Sequence, residues 1–143
     1  MLSVATWNVE WATPNSSKGK RIARVLQELE ADVIVLTEGC AELLPPGNVV
    51  DAGDDWGYET KDARRRKVLL WSRFNILKTT TREDLAMPSG RFISATVDTP
   101  SGQGDVAAVC IPWKDAHVRS GRRDRQPWEE HSLFLKGLNT FVH

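Results

Sequence analysis

Apolar residues gather in one short unbroken run, Val33-Ile34-Val35-Leu36, which opens after Asp32 and closes on Thr37-Glu38. A run of this length reads as a strand buried on both faces. Ahead of it, residues 2–7 alternate weakly and read as a first buried strand. Between the two, Ile22, Val25, Leu26 and Leu29 recur at helical spacing. They predict an amphipathic helix over residues 18–30, capped by Ser16 or Ser17, with Arg21, Arg24, Gln27 and Glu28 on its wet face. Strand, helix and strand with short joints make a βαβ unit, so the two strands are expected to be parallel and to end at the same edge of a sheet.

After Glu38 the pattern changes. A helical turn at 41–44 is stopped by Pro45-Pro46-Gly47, and Val49-Val50 allows a short strand. Residues 51–57 form an acidic, glycine-bearing loop. Lys67-Val68-Leu69-Leu70-Trp71 and Asn75-Ile76-Leu77-Lys78 read as strands joined by Ser72-Arg73-Phe74. Over 91–98, Phe92, Ser94 and Thr96 alternate with Ile93, Ala95 and Val97, which gives a strand with two unlike faces. A hairpin loop at 99–104 leads to an apolar partner over 105–111. These four strands are expected to be antiparallel. A charged loop, 114–125, precedes a helix opening at Pro127, with Trp128, Phe134, Leu135, Leu138, Phe141 and Val142 as its apolar stripe. No repeat or linker interrupts the chain. The expectation is a single α/β domain over residues 1–143, with a mixed, mostly antiparallel sheet and flanking helices.

Charge changes this picture little. Nineteen basic residues balance nineteen acidic ones, so any phosphate contact has to come from a local patch. The run Arg64-Arg65-Arg66-Lys67 reads as a solvated loop diluted by Glu59 and Asp62. The two cysteines, Cys40 and Cys110, read as reduced thiols, and the expected compartment is the cytoplasm. Neither a leader peptide nor a membrane-spanning segment is expected. Among six tryptophans, Trp7, Trp71 and Trp128 read as core, whereas Trp11 and Trp113 suit stacking on a base or sugar.

The candidate chemistry lies at the strand ends. Asn8 and Glu10 follow the first strand and Glu38 ends the second, so the βαβ unit brings them to one edge. In open α/β sheets, ligands bind at the carboxyl ends of strands. Carboxylate and amide oxygens gathered there suit a hard divalent cation. The competing readings are a solvated carboxylate at Glu38 and a turn residue bonding its own backbone at Asn8. Cys40 lacks an obvious histidine partner for nucleophilic work.

Taken in order, these pieces resemble the endonuclease/exonuclease/phosphatase superfamily. The resemblance rests on Thr6-Trp7-Asn8-Val9-Glu10, Asp32-Val33-Ile34-Val35-Leu36-Thr37-Glu38, Val68-Leu69-Leu70-Trp71-Ser72-Arg73, Gly90-Arg91-Phe92-Ile93 and Cys110-Ile111-Pro112-Trp113. The apurinic-site endonuclease branch is the most similar, for it also has an Ile/Val-Pro pair after this strand and a Trp-bearing helix after an Arg-rich loop. The resemblance implies the N-terminal portion of a four-layer α/β sandwich of two packed sheets, and hydrolysis of phosphate esters with Mg²⁺ or Mn²⁺. It implies that Glu38 and Asn8 are catalytic, that Glu38, Asn8 and Glu10 hold the metal, and that Arg91 faces the phosphate. Trp113, His117 and Arg122, near the expected cleft, complete the substrate-binding candidates. Arg119, Arg122, Arg123 and Arg125 could grip phosphate or pair with Asp115, Asp124, Glu129 and Glu130.

The chain also departs from the family pattern. The Gly-Asp-Phe/Trp-Asn and Ser-Asp-His motifs of the family's second half are absent, Cys110 stands where the branch has Tyr, and Trp113 stands where it has Asn. Two functions follow as expectations. One is metal-dependent, nuclease-like hydrolysis of phosphodiester bonds in nucleic acid or another phosphate ester. The other is a catalytically incompetent remnant or truncated fragment that binds or self-associates, with a homodimer partner or a missing C-terminal half covering an exposed apolar sheet face.

Overall fold

The computed structural model describes all of residues 1–143. Seven strands form two sheets: β1 (Val4–Asn8), β2 (Val33–Gly39), β3 (Asn48–Asp51), β4 (Arg66–Ser72), β5 (Ile76–Thr80), β6 (Phe92–Thr99) and β7 (Gly102–Val109). Two α-helices accompany them, α1 (Ser17–Glu28) and α2 (Glu129–Val142), with single 3-10 turns at Ala41–Leu43 and Glu83–Leu85. The first sheet has the order β1-β2-β4-β3 and the second β5-β6-β7.

The βαβ unit forms as its pattern requires. β1 and β2 are parallel, with Asn8 opposite Thr37. Ser16 caps α1, its hydroxyl accepting the Gly19 N–H at 2.9 Å. Ile22 and Leu26 enter the core, whereas Val25 and Leu29 are largely exposed, so the buried stripe is narrower than the spacing predicts. Ile22 and Leu26 pack with Ile34, Leu36, Leu43, Leu69 and Trp71 against one face of the first sheet. The opposite face, through Val33, Val35, Val68 and Leu70, meets Ile93, Ala95, Val97 and Ala108 of the second sheet. Beyond that sheet, Phe141 of α2 meets Phe92 edge-on at 4.9 Å, and Phe134 is fully buried. The result is a mixed α/β sandwich of two sheets flanked by helices.

Two expectations fail here. β4 and β5 do not pair, because Ser72-Arg73-Phe74 carries the chain from one sheet to the other. That crossing is fastened on both sides: Asn48 Nδ2 donates to the Phe74 carbonyl at 2.8 Å, and the Arg73 N–H donates to the Asp32 carbonyl at 3.0 Å. Only β5, β6 and β7 form the antiparallel set proposed for four strands, while β4 is antiparallel to β2 and β3. Nor does the sandwich leave an apolar sheet face bare. The outer face of the second sheet carries Lys78, Thr80, Ser94, Thr96 and Asp105, with Thr96 Oγ1 donating to Asp105 at 2.6 Å.

Candidate active site at the strand ends

The chain leaves β1 and β2 side by side. Past Asn8, the Val9 N–H donates to the Thr37 carbonyl at 3.1 Å and the Trp11 N–H to the Glu38 carbonyl at 2.7 Å. Glu10, Trp11 and Glu38 all adopt the left-handed region, with φ of 50°, 61° and 52°. Such values are uncommon for residues with a Cβ, and they persist only where the surroundings over-determine them. The backbone strain of the molecule is thus partly concentrated where the βαβ unit ends.

The three proposed metal ligands share this edge, yet each has other partners. Asn8 Oδ1 accepts the Glu10 N–H at 2.9 Å, closing a local turn on its own backbone. The Glu10 carboxylate, 75% exposed, pairs with Lys18 Nζ at 3.2 Å. Glu38 lies between the register pairs Thr37–Val68 and Gly39–Arg66, which sets it opposite Lys67 on β4. Its Oε1 accepts from Lys67 Nζ at 3.0 Å. The same ammonium sits 5.1 Å from the Trp11 ring centroid, and Trp11 stacks on Trp56 at 5.5 Å.

The basic run 64–67 is only partly the solvated loop expected: Arg64 is exposed, whereas Lys67 is buried on β4. Arg64 pairs with Asp62 at 2.8 Å and holds that carboxyl at about 2, Arg65 lies 5.1 Å over Trp11, and Arg66 pairs with Asp51 at 3.2 Å. β7 ends in the same region. Burial pushes the Cys110 thiol up, with Lys67 and Arg91 opposing the shift and Glu38 adding to it.

Several proposed substrate contacts lie elsewhere. Arg91 is 1% exposed; Nη1 donates to the Cys110 carbonyl at 3.2 Å, while Nε and Nη2 have no hydrogen-bond partner. Burial lowers its pKa, as expected for a desolvated cation. His117, a substrate-binding candidate near the expected cleft, is fully buried. Its N–H donates to Tyr58 Oη at 2.9 Å, and its Nδ1 accepts the Arg122 N–H at 3.2 Å. Arg122 is held by two carboxylates, Nη2 to Glu130 at 2.8 Å and Nε to Asp124 at 3.2 Å, while Arg125 Nε reaches Glu130 at 2.7 Å. The Arg-rich loop is thus tied to α2 by acid–base pairs. Trp113 remains 54% exposed, as a stacking residue requires.

Tryptophan placement also needs correction. Trp71 is core, but Trp7 and Trp128 are substantially exposed. Trp7 sits on the free edge strand β1, lining a cleft with Asn8, Glu10, Lys18 and Arg21. Trp128 takes a left-handed conformation (φ 71°) as the residue before α2 and so points out of the helix's buried stripe. Sequence reasoning does not single out Trp56 or Tyr58, and it gives Arg65 and Lys67 only a place in a basic run and Glu130 only a possible pairing with the arginine cluster, which the structure realises through Arg122 and Arg125. For Lys67 a signal existed: antiparallel pairing of the strands ending at Glu38 and beginning near Arg66 sets the two residues opposite one another.

The model of the Endonuclease/Exonuclease/phosphatase family matches residues 5–140. The chain belongs to that family. Its fold agrees with structures of low sequence identity. The endonuclease domain of TRAS1, a telomere-specific non-LTR retrotransposon, superposes with a TM-score of 0.59 at 8% identity, covering 99% of this chain and 55% of that one. A family protein from Leptotrichia buccalis gives 0.59 at 13% identity, covering 99% and 62%. A β-hairpin deletion mutant of beta toxin from Staphylococcus aureus gives 0.52 at 15% identity, covering 85% and 54%. The chain therefore spans between 54% and 62% of the length of these structures. No curated protein matches the sequence. No helix is long and apolar enough to cross a membrane.

The family is generally dependent on a divalent metal, so the donor set can be tested against one. A hard cation needs several free oxygens. Glu38 is paired with Lys67, Glu10 with Lys18, and Asn8 Oδ1 with a backbone N–H. No group of three or more His, Cys, Asp or Glu side chains is placed to share an ion. As arranged, the residues do not fit a divalent ion.

Proposed function

We propose that the chain is a phosphoesterase-type domain of nuclease-like character, acting on phosphodiesters at the edge where β1 and β2 end. Family membership supports the reaction class. The observation that carries the site is the convergence of Glu38, Lys67 and Trp11 at a strand edge where Glu10, Trp11 and Glu38 are left-handed. The TRAS1 endonuclease domain, whose fold this chain shares over part of its length, favours nucleic acid over other phosphate esters. In this reading residues 1–143 form one domain, Trp113 stacks on a base or sugar, and Asn8 and Glu38 organise the reacting end. Two unpaired thiols suit a reducing compartment such as the cytoplasm. Mg²⁺ or Mn²⁺, the metals expected from the family, would have to displace Lys67 from Glu38, so no step is assigned to them.

The Glu38–Lys67 pair favours a second reading. A carboxylate neutralised by a resident ammonium suits a binding module whose cationic, aromatic edge holds phosphate without cleaving it. One experiment separates the two. Purified protein is incubated with a labelled duplex containing an abasic site and with a plain duplex, with Mg²⁺, with Mn²⁺ or with EDTA. Strand cleavage that Glu38→Gln abolishes supports the hydrolase. Retention of the duplex without cleavage, weakened by Trp113→Ala, supports the binding module. Neither cleavage nor retention overturns both.

A further inference from the structure

The conflict between the family's metal chemistry and the side chains at Glu38 has a specific origin in Lys67. We propose that the Lys67 ammonium takes the place of a divalent cation at Glu38, so that this position is closed to Mn²⁺ and Mg²⁺ by the protein's own lysine. The inference rests on reading Glu38 as the family's metal position, but not on any activity of the chain.

Three observations fix Lys67 there. Its Nζ lies 3.0 Å from Glu38 Oε1, a charge-assisted bond. The Trp11 ring, 5.1 Å away, provides a second and independent attraction for the same ammonium. The residue is buried on β4, an interior strand flanked by β2 and β3, so the side chain does not sweep freely through solvent. Trp11 is in turn braced by stacking on Trp56 at 5.5 Å and by the backbone bond from its N–H to the Glu38 carbonyl. The pocket around the ammonium is therefore built from both strand ends.

The electrostatics follow. A dication beside Glu38 would meet a unit positive charge within a few ångströms, in surroundings less polarisable than water. It would also have to strip Lys67 of its carboxylate and leave a partly buried ammonium with only the Trp11 ring. Affinity for hard cations scales with the negative charge a site offers. Glu38 and Lys67 together offer none. No nearby carboxylate makes up the loss, because Glu10 faces Lys18 and is mostly exposed.

The test is a calorimetric titration of MnCl₂ into the full chain, comparing wild type with Lys67→Ala, Lys67→Gln, Lys67→Arg and Lys67→Ala/Glu38→Gln. Circular dichroism checks the fold of each, and the glutamine variant serves if alanine does not fold. The expected result is no saturable Glu38-dependent binding in wild type or Lys67→Arg. Removing the charge as Ala or Gln then raises affinity by about tenfold or more, and adding Glu38→Gln cancels the gain. The proposal is overturned if wild type binds Mn²⁺ through Glu38 as tightly as the charge-removed variants, or if removing the charge gains nothing. Because the readout is binding, failure here is distinct from failure of the hydrolase reading, which the cleavage assay measures.

Discussion

His117 Nε2 lies 3.6 Å from Glu130 Oε1 with both side chains shut off from solvent. The ring's other nitrogen accepts the Arg122 N–H, so the neutral imidazole carries its proton on Nε2, facing the carboxylate. Burial, and then the Arg122 charge, hold the pKa of His117 below its ordinary 6.5. Burial alone would push Glu130 up, but two guanidinium bonds and nearby charge outweigh it and leave the carboxyl below 4.5. Both shifts have one sign for stability. Between the folded and unfolded pKa values the unfolded chain binds more protons, so stability falls as pH drops. The thermal midpoint should fall as pH is lowered from about 7 to about 5, the range of histidine titration, and again below the glutamate value. His117→Asn keeps an acceptor near Nδ1 and tolerates the left-handed φ of 60°. It should flatten the first drop and leave the second. A midpoint unchanged across the first range in wild type refutes this account.

Two helical glycines should respond unequally to alanine. A Cβ at Gly19 would run into the Thr13 backbone carbonyl, which Ser16 Oγ also engages at 2.8 Å. A Cβ at Gly137 would instead meet Met87 at its Cγ, which a change of rotamer can move, and would lie 3.3 Å from the Leu85 carbonyl, a tight contact that needs only a small shift. Alanine gains about 1 kcal/mol over glycine within a helix. Gly19→Ala should nevertheless destabilise by about 1–3 kcal/mol, because backbone cannot yield as a side chain can. Gly137→Ala should stay within about 1 kcal/mol of wild type. Urea denaturation of the two variants decides the matter.

The contrast between local and long-range determinants explains what the sequence revealed. Val33-Ile34-Val35-Leu36 and the Ile22/Leu26 spacing encode β2 and α1 locally, and the short joints force the two strands parallel. The meeting of Asn8 and Glu38 at one edge follows from that unit alone. By contrast, nothing in the alternation of 67–71 and 75–78 tells which sheet each strand joins. That choice depends on Asn48 and Asp32 gripping the 72–74 crossing from far along the chain. The burial of His117 is not legible locally, because it comes from Gly57 and Gly121, whose missing side chains make room for the ring, and from Tyr58, 59 residues away. Lys67 was hidden within a basic run, where only the β2–β4 register reveals its partner.

The thiols should be quiet in the folded protein. Burial, with Glu42 adding to it, pushes Cys40 from 9.0 up to about 11, and burial also raises Cys110. The thiolate is the reactive form, so the rise at Cys40 lowers its population at neutral pH about a hundredfold. Alkylation by iodoacetamide at about pH 8 should be slow for the native chain and should reach both cysteines only after unfolding in urea. Rapid native labelling of Cys40 would contradict the burial of that thiol.

The Glu38–Lys67 pair can be weighed by a double-mutant cycle. Lys67→Met leaves a half-buried carboxylate facing the apolar methionine, which should cost about 1–3 kcal/mol. Glu38→Gln leaves the ammonium held by the Trp11 ring and one neutral amide, a loss of the same order. The double variant removes both charges together and should be more stable than the sum of the singles implies, by roughly 0.5–3 kcal/mol. Additive losses would mean that the two charges do not sense each other. The cycle also connects stability to the metal question. An ion that binds only the folded state raises the midpoint. Mn²⁺ should therefore stabilise Lys67→Met and leave both the wild type and the double variant unmoved. Equal stabilisation of all three would place the bound metal elsewhere on the chain.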